Sequence, residues 1–434
     1  MQQPSRPLLQ LALDEANLAQ ALRVAHEAVP AGVDLIEAGT PLIKSEGLNA
    51  VRTLRKEFPG VGIVADMKTM DAGRMEVEMA AKAGATHVMV LGASSDSTVM
   101  DAIEAGRRHG VLIGIDLVGV ADPAARAVEV AAMGASFVSV HCPIDDQMTG
   151  KDPFERLARV VKAVSIPVSV AGGINSESAG RAVAIGATMV VVGGAISKAE
   201  DAAAATRSIR EAMSTQRLVT SEHFRRIGHD DTALRETFLK VSTPNLSDAM
   251  HRGGALPQIL PISPGMRMAG KAVTARTYPG DWAKPVLAIE QAQEGDVIVI
   301  DACGQAPAVW GELATESCLQ RKLGGVVIFG AIRDVDAIRK LGFPAFASLM
   351  SPNAGEPHGL GQLQVTVMMN GVAVSPGDWI VGDDSGVVVV PAARAVEIAN
   401  RAMDVFEREN RLRKEIRAAS SLARVMELLR WEKK

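Results

Sequence analysis

The chain has 434 residues, a formal net charge of −4, and 47% hydrophobic and 22% charged residues. At about 150 residues per domain this length predicts two or three globular domains, and the charge lacks the basic footprint of nucleic-acid-binding proteins, so we expect no nucleic-acid partner. No apolar run reaches about 18 residues and the N-terminus has no signal-peptide sections, so we expect no membrane span and a cytoplasmic location.

Eight short apolar runs, rich in β-branched residues, recur through the first half of the chain, with segments of helical spacing between them. Such alternation is typical of a parallel sheet covered by helices, and eight units of this kind predict a (β/α)8 TIM barrel over residues 1–214. The predicted strands are Leu8–Asp14, Val33–Gly39, Gly62–Lys68, His87–Gly92, Leu112–Gly119, Phe137–Cys142, Pro167–Gly173 and Met189–Ala195.

Polar residues stand at or near the ends of these strands, which in a TIM barrel form the active-site face. Strand three carries Asp66-x-Lys68-x-x-Asp71, and an extended strand places Asp66 and Lys68 on one face. Two carboxylates beside one ammonium suit a site that holds a cation and moves protons near a carbonyl, although a surface ion-pair cluster is the alternative. The other strand residues of this kind are Asp14, Glu37, Asp116 and His141.

Two glycine pairs, Gly172-Gly173 and Gly193-Gly194, end strands seven and eight, each before a predicted helix. Glycines allow backbone N–H groups to approach a phosphate, which this fold commonly binds after these two strands. Turn formation alone is the alternative for the glycines, as exposure to water is for Glu37 and a core position is for His141. Because several strands place polar residues at one end, we favour an active site there.

The motifs resemble the orotidine-5′-phosphate decarboxylase superfamily over roughly residues 5–214. Leu11-Ala12-Leu13-Asp14, the run from Glu37 to Lys44, and Lys68-Thr69-Met70-Asp71-Ala72-Gly73 are most similar to the 3-hexulose-6-phosphate synthases. The resemblance implies Mg²⁺-dependent, reversible aldol addition of formaldehyde to D-ribulose 5-phosphate through an enediolate. It makes the chain a lyase of formaldehyde fixation whose partners are small molecules.

Carried over to this chain, the resemblance implies a role for each site residue. Glu37 and Asp66 would hold Mg²⁺, and Lys68 would stabilise the enediolate. His141 would transfer the proton at C1. Asp71 would reach across a homo-oligomer interface into the neighbouring subunit's site, so we expect at least a dimer.

Asp14 is placed with the catalytic residues in the same resemblance. The substrate's phosphate would lie against the glycine pairs Gly172, Gly173, Gly193 and Gly194. The related 3-keto-L-gulonate-6-phosphate decarboxylases use the same barrel and metal but typically carry an arginine at the position of Ile144, so this residue favours the synthase. The decarboxylase and a non-catalytic phosphate-binding or regulatory fusion are the alternatives, and the physiological direction of the reaction stays open.

Composition changes after a charged linker at residues 215–234: all four tryptophans and the only tyrosine lie beyond it. Residues 235–434 contain seven strand-like runs and two or three helices, mainly at 311–322 and 392–415, which predicts a C-terminal α/β sandwich domain with a helical tail. The run from Val241 to Met250 predicts a first helix capped by Asn245 or Ser247. The chain as a whole is therefore α/β.

Three charged residues of the second half suggest another site: Glu312, which opens a predicted helix, and Arg333-Asp334, which follows an apolar strand. A guanidinium suits a carboxylate and an aspartate suits a divalent ion, whereas a solvated ion pair in a turn is the alternative.

Residues 235–405 resemble the regulator of ribonuclease activity A and the class II 4-hydroxy-4-methyl-2-oxoglutarate aldolases. The aldolase branch implies that Arg333 binds the pyruvoyl end of the substrate, Asp334 ligates Mg²⁺ or Mn²⁺, and Glu312 holds a metal-bound water. The chain departs from the family pattern at Glu312, where the aldolases typically have aspartate, and at Ser385, where aspartate is frequent. A pyruvate-type aldolase or oxaloacetate decarboxylase, a regulatory binding module and an oligomerisation unit are therefore three hypotheses for this half.

Overall fold

The computed structural model describes residues 6–220, 224–418 and 421–425. The chain forms two compact units: the first comprises Met1–Gln147, Lys151–Arg226 and Glu407–Lys434, and the second Met148–Gly150 and Ile227–Phe406. The functional boundaries at 1–214 and 235–434 remain a prediction. Of the predicted helical tail, residues 419–420 and 426–434 lie outside the described residues.

The first unit contains a closed barrel of eight parallel strands in sequential order, in which β8 pairs with β1. This confirms the predicted TIM barrel. The strands are β1 (Leu8–Leu13), β2 (Leu35–Ala38), β3 (Gly62–Thr69), β4 (His87–Leu91), β5 (Leu112–Asp116), β6 (Phe137–His141), β7 (Val168–Ala171) and β8 (Met189–Val192).

Helices connect the strands, as the apolar spacing predicts. They are α1 (Leu18–Ala28), α2 (Thr40–Glu46), α3 (Asn49–Glu57), α4 (Gly73–Lys82), α5 (Asp96–His109), α6 (Pro123–Met133), α7 (Ile144–Met148), α8 (Phe154–Ala163), α9 (Ala179–Ile185), α10 (Gly194–Ser197) and α11 (Ala202–Thr215). One core cluster fills the space between strands and helices, and a second, built from Leu35, Val64, Met89, Phe137 and Met189, lies apart from it. The alternation of side chains along each strand separates these two clusters.

Strand β3 is irregular at the predicted motif. Lys68 has a left-handed φ of 46°, and the register of β3 against β4 shifts between Ala65 and Thr69. A residue with a Cβ atom seldom adopts this conformation, so it marks a bulge of the kind found beside active sites. Asp66 and Lys68 therefore meet because the backbone bends, and not through the alternation of a regular strand.

The second unit is α/β, as predicted, and its ten-stranded mixed sheet runs in the order β10-β15-β14-β12-β11-β19-β20-β9, with β13 beside β14 and β16 beside β11. A two-stranded ribbon pairs β17 with β18. The strands are β9 (Ala255–Leu256), β10 (Leu260–Pro261), β11 (Met268–Arg276), β12 (Val297–Asp301), β13 (Ala308–Trp310), β14 (Gly325–Ile332), β15 (Ala345–Met350), β16 (Gln362–Leu363), β17 (Val367–Met369), β18 (Val372–Val374), β19 (Trp379–Asp383) and β20 (Gly386–Val390).

The second half has more helices than the sequence analysis predicts, because several are too short to show a clear apolar period. The helices are α12 (Asp231–Lys240), α13 (Thr243–Ala249), α14 (Ala283–Gln291), α15 (Glu312–Gln320), α16 (Val335–Leu341), α17 (Ala395–Arg417) and α18 (Leu422–Val425). Helix α12 begins inside the predicted linker. The cap prediction for α13 is wrong: Ser242 is the N-cap, and Asn245 is its partner in a capping box.

Helix α17 contributes to both units, because its residues from Glu407 onward group with the barrel. Arg411 is 3% exposed and donates to both carboxylate oxygens of Glu27 on α1, at 2.9 and 2.7 Å. Two parallel hydrogen bonds between a guanidinium and a carboxylate are a specific, geometrically demanding contact. The last turns of α17 are therefore part of the first unit. Within the described residues, no helix combines the length and apolar character needed to cross a membrane.

Candidate active site

Four titratable residues from three barrel strands meet at the carboxyl ends of the strands. Lys68 Nζ donates to Asp116 Oδ2 at 2.8 Å and lies 3.0 Å from Asp66 Oδ2. His141 Nδ1 lies 3.0 Å from the same Asp116 Oδ2. The structure therefore links the predicted residues Asp66, Lys68 and His141 through Asp116, which the sequence analysis notes on strand five without giving it a role.

Asp66, Lys68, Asp116 and His141 are called the relay below. The burial and charge of Asp116 explain why it can hold these residues together. Its side chain is buried, and burial alone would raise its pKa, but His141 and Lys68 outweigh that effect and lower the pKa to about 2. The carboxylate is therefore ionised at neutral pH, and the imidazole Nδ1 carries the hydrogen that Asp116 accepts. In the neutral imidazole, Nε2 of His141 is then the nitrogen without a hydrogen, and it can accept a proton.

Lys68 is a permanent cation in this setting. Burial of the amine would lower its pKa, yet the charges of Asp116 and Asp66 raise the pKa above its ordinary value. The ammonium can stabilise negative charge on a substrate but cannot act as a base near neutral pH.

Glu37 and Asp14 extend the acidic side of the site. Burial first, and then the charges of Asp66 and Asp14, raise the pKa of Glu37 well above its usual range. The pKa of Asp14 is also raised, first by desolvation and then by Asp66. Asp14 lies at the exposed rim, but its carboxyl is pressed against Gly39, where an added Cβ atom would lie only 2.2 Å from Oδ1. Only glycine fits at that position.

Two polar residues that the sequence analysis missed hold the carboxylates in place. Gln10, on β1 and 3% exposed, donates from Nε2 to Glu37 Oε2, while its own Oε1 has no hydrogen-bond partner within the described part of the chain. Thr40 Oγ1, at the start of α2, donates to Asp66 Oδ2 at 2.8 Å. The sequence does carry a sign of Gln10: it is a polar residue inside an apolar strand. A polar side chain is seldom buried unless it has a hydrogen-bond partner, so such a position indicates a polar contact.

The carboxylates are a partial fit to a divalent metal. Glu37 and Asp66 offer oxygen ligands, which Mg²⁺ prefers, and a cation would relieve the repulsion that raises the Glu37 pKa. Among the described residues, however, no three His, Cys, Asp or Glu side chains are arranged to hold a metal ion. Because Mg²⁺ usually keeps several waters and one or two carboxylates, two ligands with water or substrate oxygens are sufficient.

The other predicted site residues of the barrel are Asp71 and the two glycine pairs. Asp71 is exposed, and its Oδ1 accepts from the N–H of Ala72 at 2.7 Å, so it does not join the cluster of its own chain. Gly172 and Gly173 have left-handed φ values of 98° and 73° after β7. Gly193 and Gly194 lie at the start of α10, after β8.

In the second unit, the three predicted residues lie together. Strands β13 and β14 pair in parallel, so Gly311-Glu312 and Arg333-Asp334 follow adjacent strand ends. Glu312 N–H donates to Asp334 Oδ2 at 3.2 Å, and Arg333 Nε lies 3.5 Å from the same oxygen. The side chains of Arg333 and Asp334 are each about two-fifths exposed, so the ion pair adds little stability and is open to a ligand.

Comparison with known proteins places both halves of the chain. Residues 7–209 match the model of the orotidine 5′-phosphate decarboxylase / HUMPS family, and residues 243–389 match the RraA-like model, described as Aldolase/RraA. The 3-hexulose-6-phosphate synthase of Mycobacterium gastri is 41% identical over 206 residues, which are 48% of this chain and 99% of that protein. That of Methylomonas aminofaciens is 41% identical over 203 residues, 46% of this chain and 97% of that protein.

A solved structure of a 3-hexulose-6-phosphate synthase is 43% identical and covers 48% of this chain and 99% of its own, with a TM-score of 0.46. Because the Mycobacterium gastri relative is 41% identical over 99% of its length, the chain belongs, through its N-terminal barrel, to the orotidine 5′-phosphate decarboxylase / HUMPS family, and its residues 243–389 match the RraA-like model.

Proposed function

We propose that the barrel is a 3-hexulose-6-phosphate synthase, which adds formaldehyde to C1 of D-ribulose 5-phosphate and reverses the same reaction. The observation that carries the proposal is the sharing of Asp116 Oδ2 by Lys68 and His141, beside the carboxylates of Glu37 and Asp66. Removal of a proton next to a carbonyl requires a basic nitrogen, a fixed cation and a pair of acidic side chains. The identity to named synthases supports the same activity.

In this proposal His141 moves the proton. Its Nε2 removes a hydrogen from C1 of ribulose 5-phosphate, and the electron pair of the broken C–H bond forms the enediolate. That carbon then attacks the carbonyl carbon of formaldehyde, and the new alkoxide takes up the proton from Nε2, which returns His141 to its neutral form. Asp116 positions the ring and stabilises the imidazolium that forms.

Lys68 stabilises the negative charge of the enediolate, because its ammonium stays protonated between Asp66 and Asp116. Glu37 and Asp66 would hold Mg²⁺, which when bound supplies further positive charge beside the substrate's oxygens. Asp14 lies next to this pair at the rim and keeps a raised pKa, which suits exchange of a proton with a substrate hydroxyl. The glycines 172, 173, 193 and 194 would receive the phosphate.

We also propose a homodimer in which Asp71 completes the neighbouring subunit's site. Asp71 is exposed and accepts from the N–H of Ala72, and four exposed methionines lie close to it in sequence or on helices α4 and α5: Met70, Met75, Met79 and Met100. Exposed apolar patches mark association surfaces, and methionine adapts readily to a partner. Mixing inactive Asp66→Ala and Asp71→Ala chains restores activity if the site is shared, and gives none if each chain works alone.

The activity test is consumption of formaldehyde in the presence of ribulose 5-phosphate, with and without Mg²⁺. We expect consumption by the wild type with Mg²⁺, and none for Asp66→Ala. Asp122→Asn is the matched control, because Asp122 caps α6 and pairs with Arg159 at the surface rather than with a cluster residue, and asparagine caps equally well.

The competing activity is decarboxylation of 3-keto-L-gulonate 6-phosphate in the same barrel. Ile144, half exposed at the start of α7, offers no cation for a carboxylate. Release of CO₂ from that substrate, without formaldehyde consumption, would replace the synthase proposal by the decarboxylase. Absence of both reactions, with phosphate still bound, would leave a regulatory fusion.

For the second unit we propose a separate, metal-dependent cleavage of a pyruvate-type substrate. Its support is the convergence of Glu312, Arg333 and Asp334 at adjacent strand ends. Pyruvate release from oxaloacetate with Mg²⁺ or Mn²⁺, lost in Arg333→Ala, is the expected result. No release from the wild type would favour a regulatory or oligomerisation role.

A further inference from the structure

In the segment that follows the barrel, Val219 and Phe224 contact the loop that follows β7. Val219 N–H donates to Ser176 O at 3.2 Å, and Ser176 Oγ donates to Val219 O at 2.8 Å. A little further on, Asn175 Nδ2 donates to Phe224 O at 3.1 Å, and that amide is buried. Both contacts are made directly after the glycine pair Gly172-Gly173.

The same segment also contacts the second glycine pair. Phe224 is 6% exposed, and its ring lies so close to Gly194 that an added Cβ atom there would be 2.3 Å from Cε2. Phe224 itself has a left-handed φ of 57°. This residue therefore bridges the two loops whose glycines we propose as the phosphate site.

Two cations lie on the Phe224 ring. The guanidinium carbon of Arg226 is 4.3 Å from the ring centre, and Nζ of Lys198, which follows α10, is 5.8 Å from it. Aromatic rings attract cations at these distances through their quadrupole. The ring that packs on Gly194 is thus also the ring on which two positive charges lie, and a phosphate dianion is bound by such charges.

A residue of helix α17 also fixes the position of Phe224. Its N–H donates to Glu407 Oε1 on α17, four residues before the buried Arg411. Asn175 and Glu407 therefore fix the two ends of one residue's backbone. Neither Phe224 nor Glu407 lies within residues 7–209, which match the barrel family.

We propose that Phe224 is a positioning residue for the phosphate of the substrate. It closes one side of the site formed by the glycine pairs Gly172-Gly173 and Gly193-Gly194, and it holds Lys198 and Arg226 beside that site. The inference rests on the proposed function, because it deepens the assignment of the phosphate site. It also makes Phe224 and Glu407, both outside the matched barrel residues, contributors to affinity for phosphorylated substrates.

The test is calorimetric binding of inorganic phosphate and of ribulose 5-phosphate to the full chain. Phe224→Leu keeps an apolar side chain but removes the ring, and we expect both ligands to bind about three- to tenfold more weakly. Phe224→Tyr keeps the ring and should bind within about twofold of wild type. KM for ribulose 5-phosphate should rise with the same factor in the leucine variant, with kcat changed less.

Lys198→Met tests the inference without altering the ring, so it remains informative if the leucine variant fails to fold. It should weaken phosphate binding as well, whereas Lys162→Met, at an exposed position on α8, should not. Wild-type binding by both Phe224→Leu and Lys198→Met would overturn this inference alone. Absence of phosphate binding by the wild type would overturn the phosphate site itself, and the positioning role with it.

Discussion

Replacement of Asp116 by asparagine removes one charge from the relay while keeping the shape of the side chain. Asp116 Oδ1 accepts from the N–H of Val118 at 2.9 Å, and Oδ2 accepts from Lys68 and His141. Either orientation of the asparagine amide places its NH₂ group against another donor, the Val118 N–H or the Lys68 ammonium, and the critical case is the one that keeps the oxygen on the Val118 side. The NH₂ group then faces the Lys68 ammonium and donates to His141 Nδ1.

This arrangement damages the relay in two ways. His141 would carry its hydrogen on Nε2, so the nitrogen that removes the C1 proton is no longer basic. Lys68 loses a charge-assisted hydrogen bond, of the kind worth about 1.5–3 kcal/mol. The lowering of the Asp116 pKa from 3.8 to about 2 corresponds to roughly 2 kcal/mol in favour of the ionised carboxylate.

We therefore expect kcat for formaldehyde consumption to fall by about 10²- to 10⁴-fold in Asp116→Asn, with a smaller change in KM. The phosphate would still bind at the glycine loops. Asp122→Asn should keep wild-type kinetics. Retention of kcat within about threefold in Asp116→Asn would refute the relay, because general base catalysis is worth far more than that.

The same residue predicts a pH dependence of stability. Because the folded pKa of Asp116 is depressed, its contribution is fully present above the unfolded value of 3.8 and is lost as the pH falls towards about 2. Thermal unfolding of the wild type should therefore show an acid-sensitive component in this window. Asp116→Asn should lack it.

Three further predictions concern residues outside the relay. Burial lowers the pKa of His87 to about 4, so stability is present above its ordinary pKa of 6.5 and falls as the pH drops from there to about 4; His87→Leu should flatten that slope in thermal unfolding. Arg411→Met should destabilise the chain by about 2 kcal/mol in urea unfolding, a value discounted because Glu27 is one-third exposed, and adding Glu27→Gln should recover part of the loss. Gln10→Leu removes the hydrogen bond that lowers the pKa of Glu37, so more Mg²⁺ should be needed for half-maximal formaldehyde consumption; an unchanged Mg²⁺ titration would contradict that role.

Much of the barrel and its active end could be predicted from the sequence. Apolar runs at regular intervals specify parallel strands, and parallel strands of a closed barrel end at the same face, so Glu37, Asp66, Lys68 and His141 had to lie near one another. Local sequence carries that information because side-chain alternation and chain direction are properties of each strand. The same local rules do not give the distances between side chains on different strands.

Those distances depend on tertiary structure, and they decide which residue does what. Asp116 becomes the centre of the relay only because β5 lies between the strands that carry Lys68 and His141. The bulge at Lys68 depends on its register against β4, and the outward position of Asp71 depends on the turn into α4. No single segment of sequence contains these relations.

The sequence by itself determined the order of elements in the barrel, the barrel class, the α/β character of the second half and the set of charged residues, because periodicity and residue chemistry are local. Only the tertiary structure decided that Ser242 caps α13, that the last turns of α17 return to the barrel, and that Phe224 lies on Gly194. Each of these depends on contacts between residues far apart in the chain or on competition between neighbouring caps, which a linear pattern cannot rank.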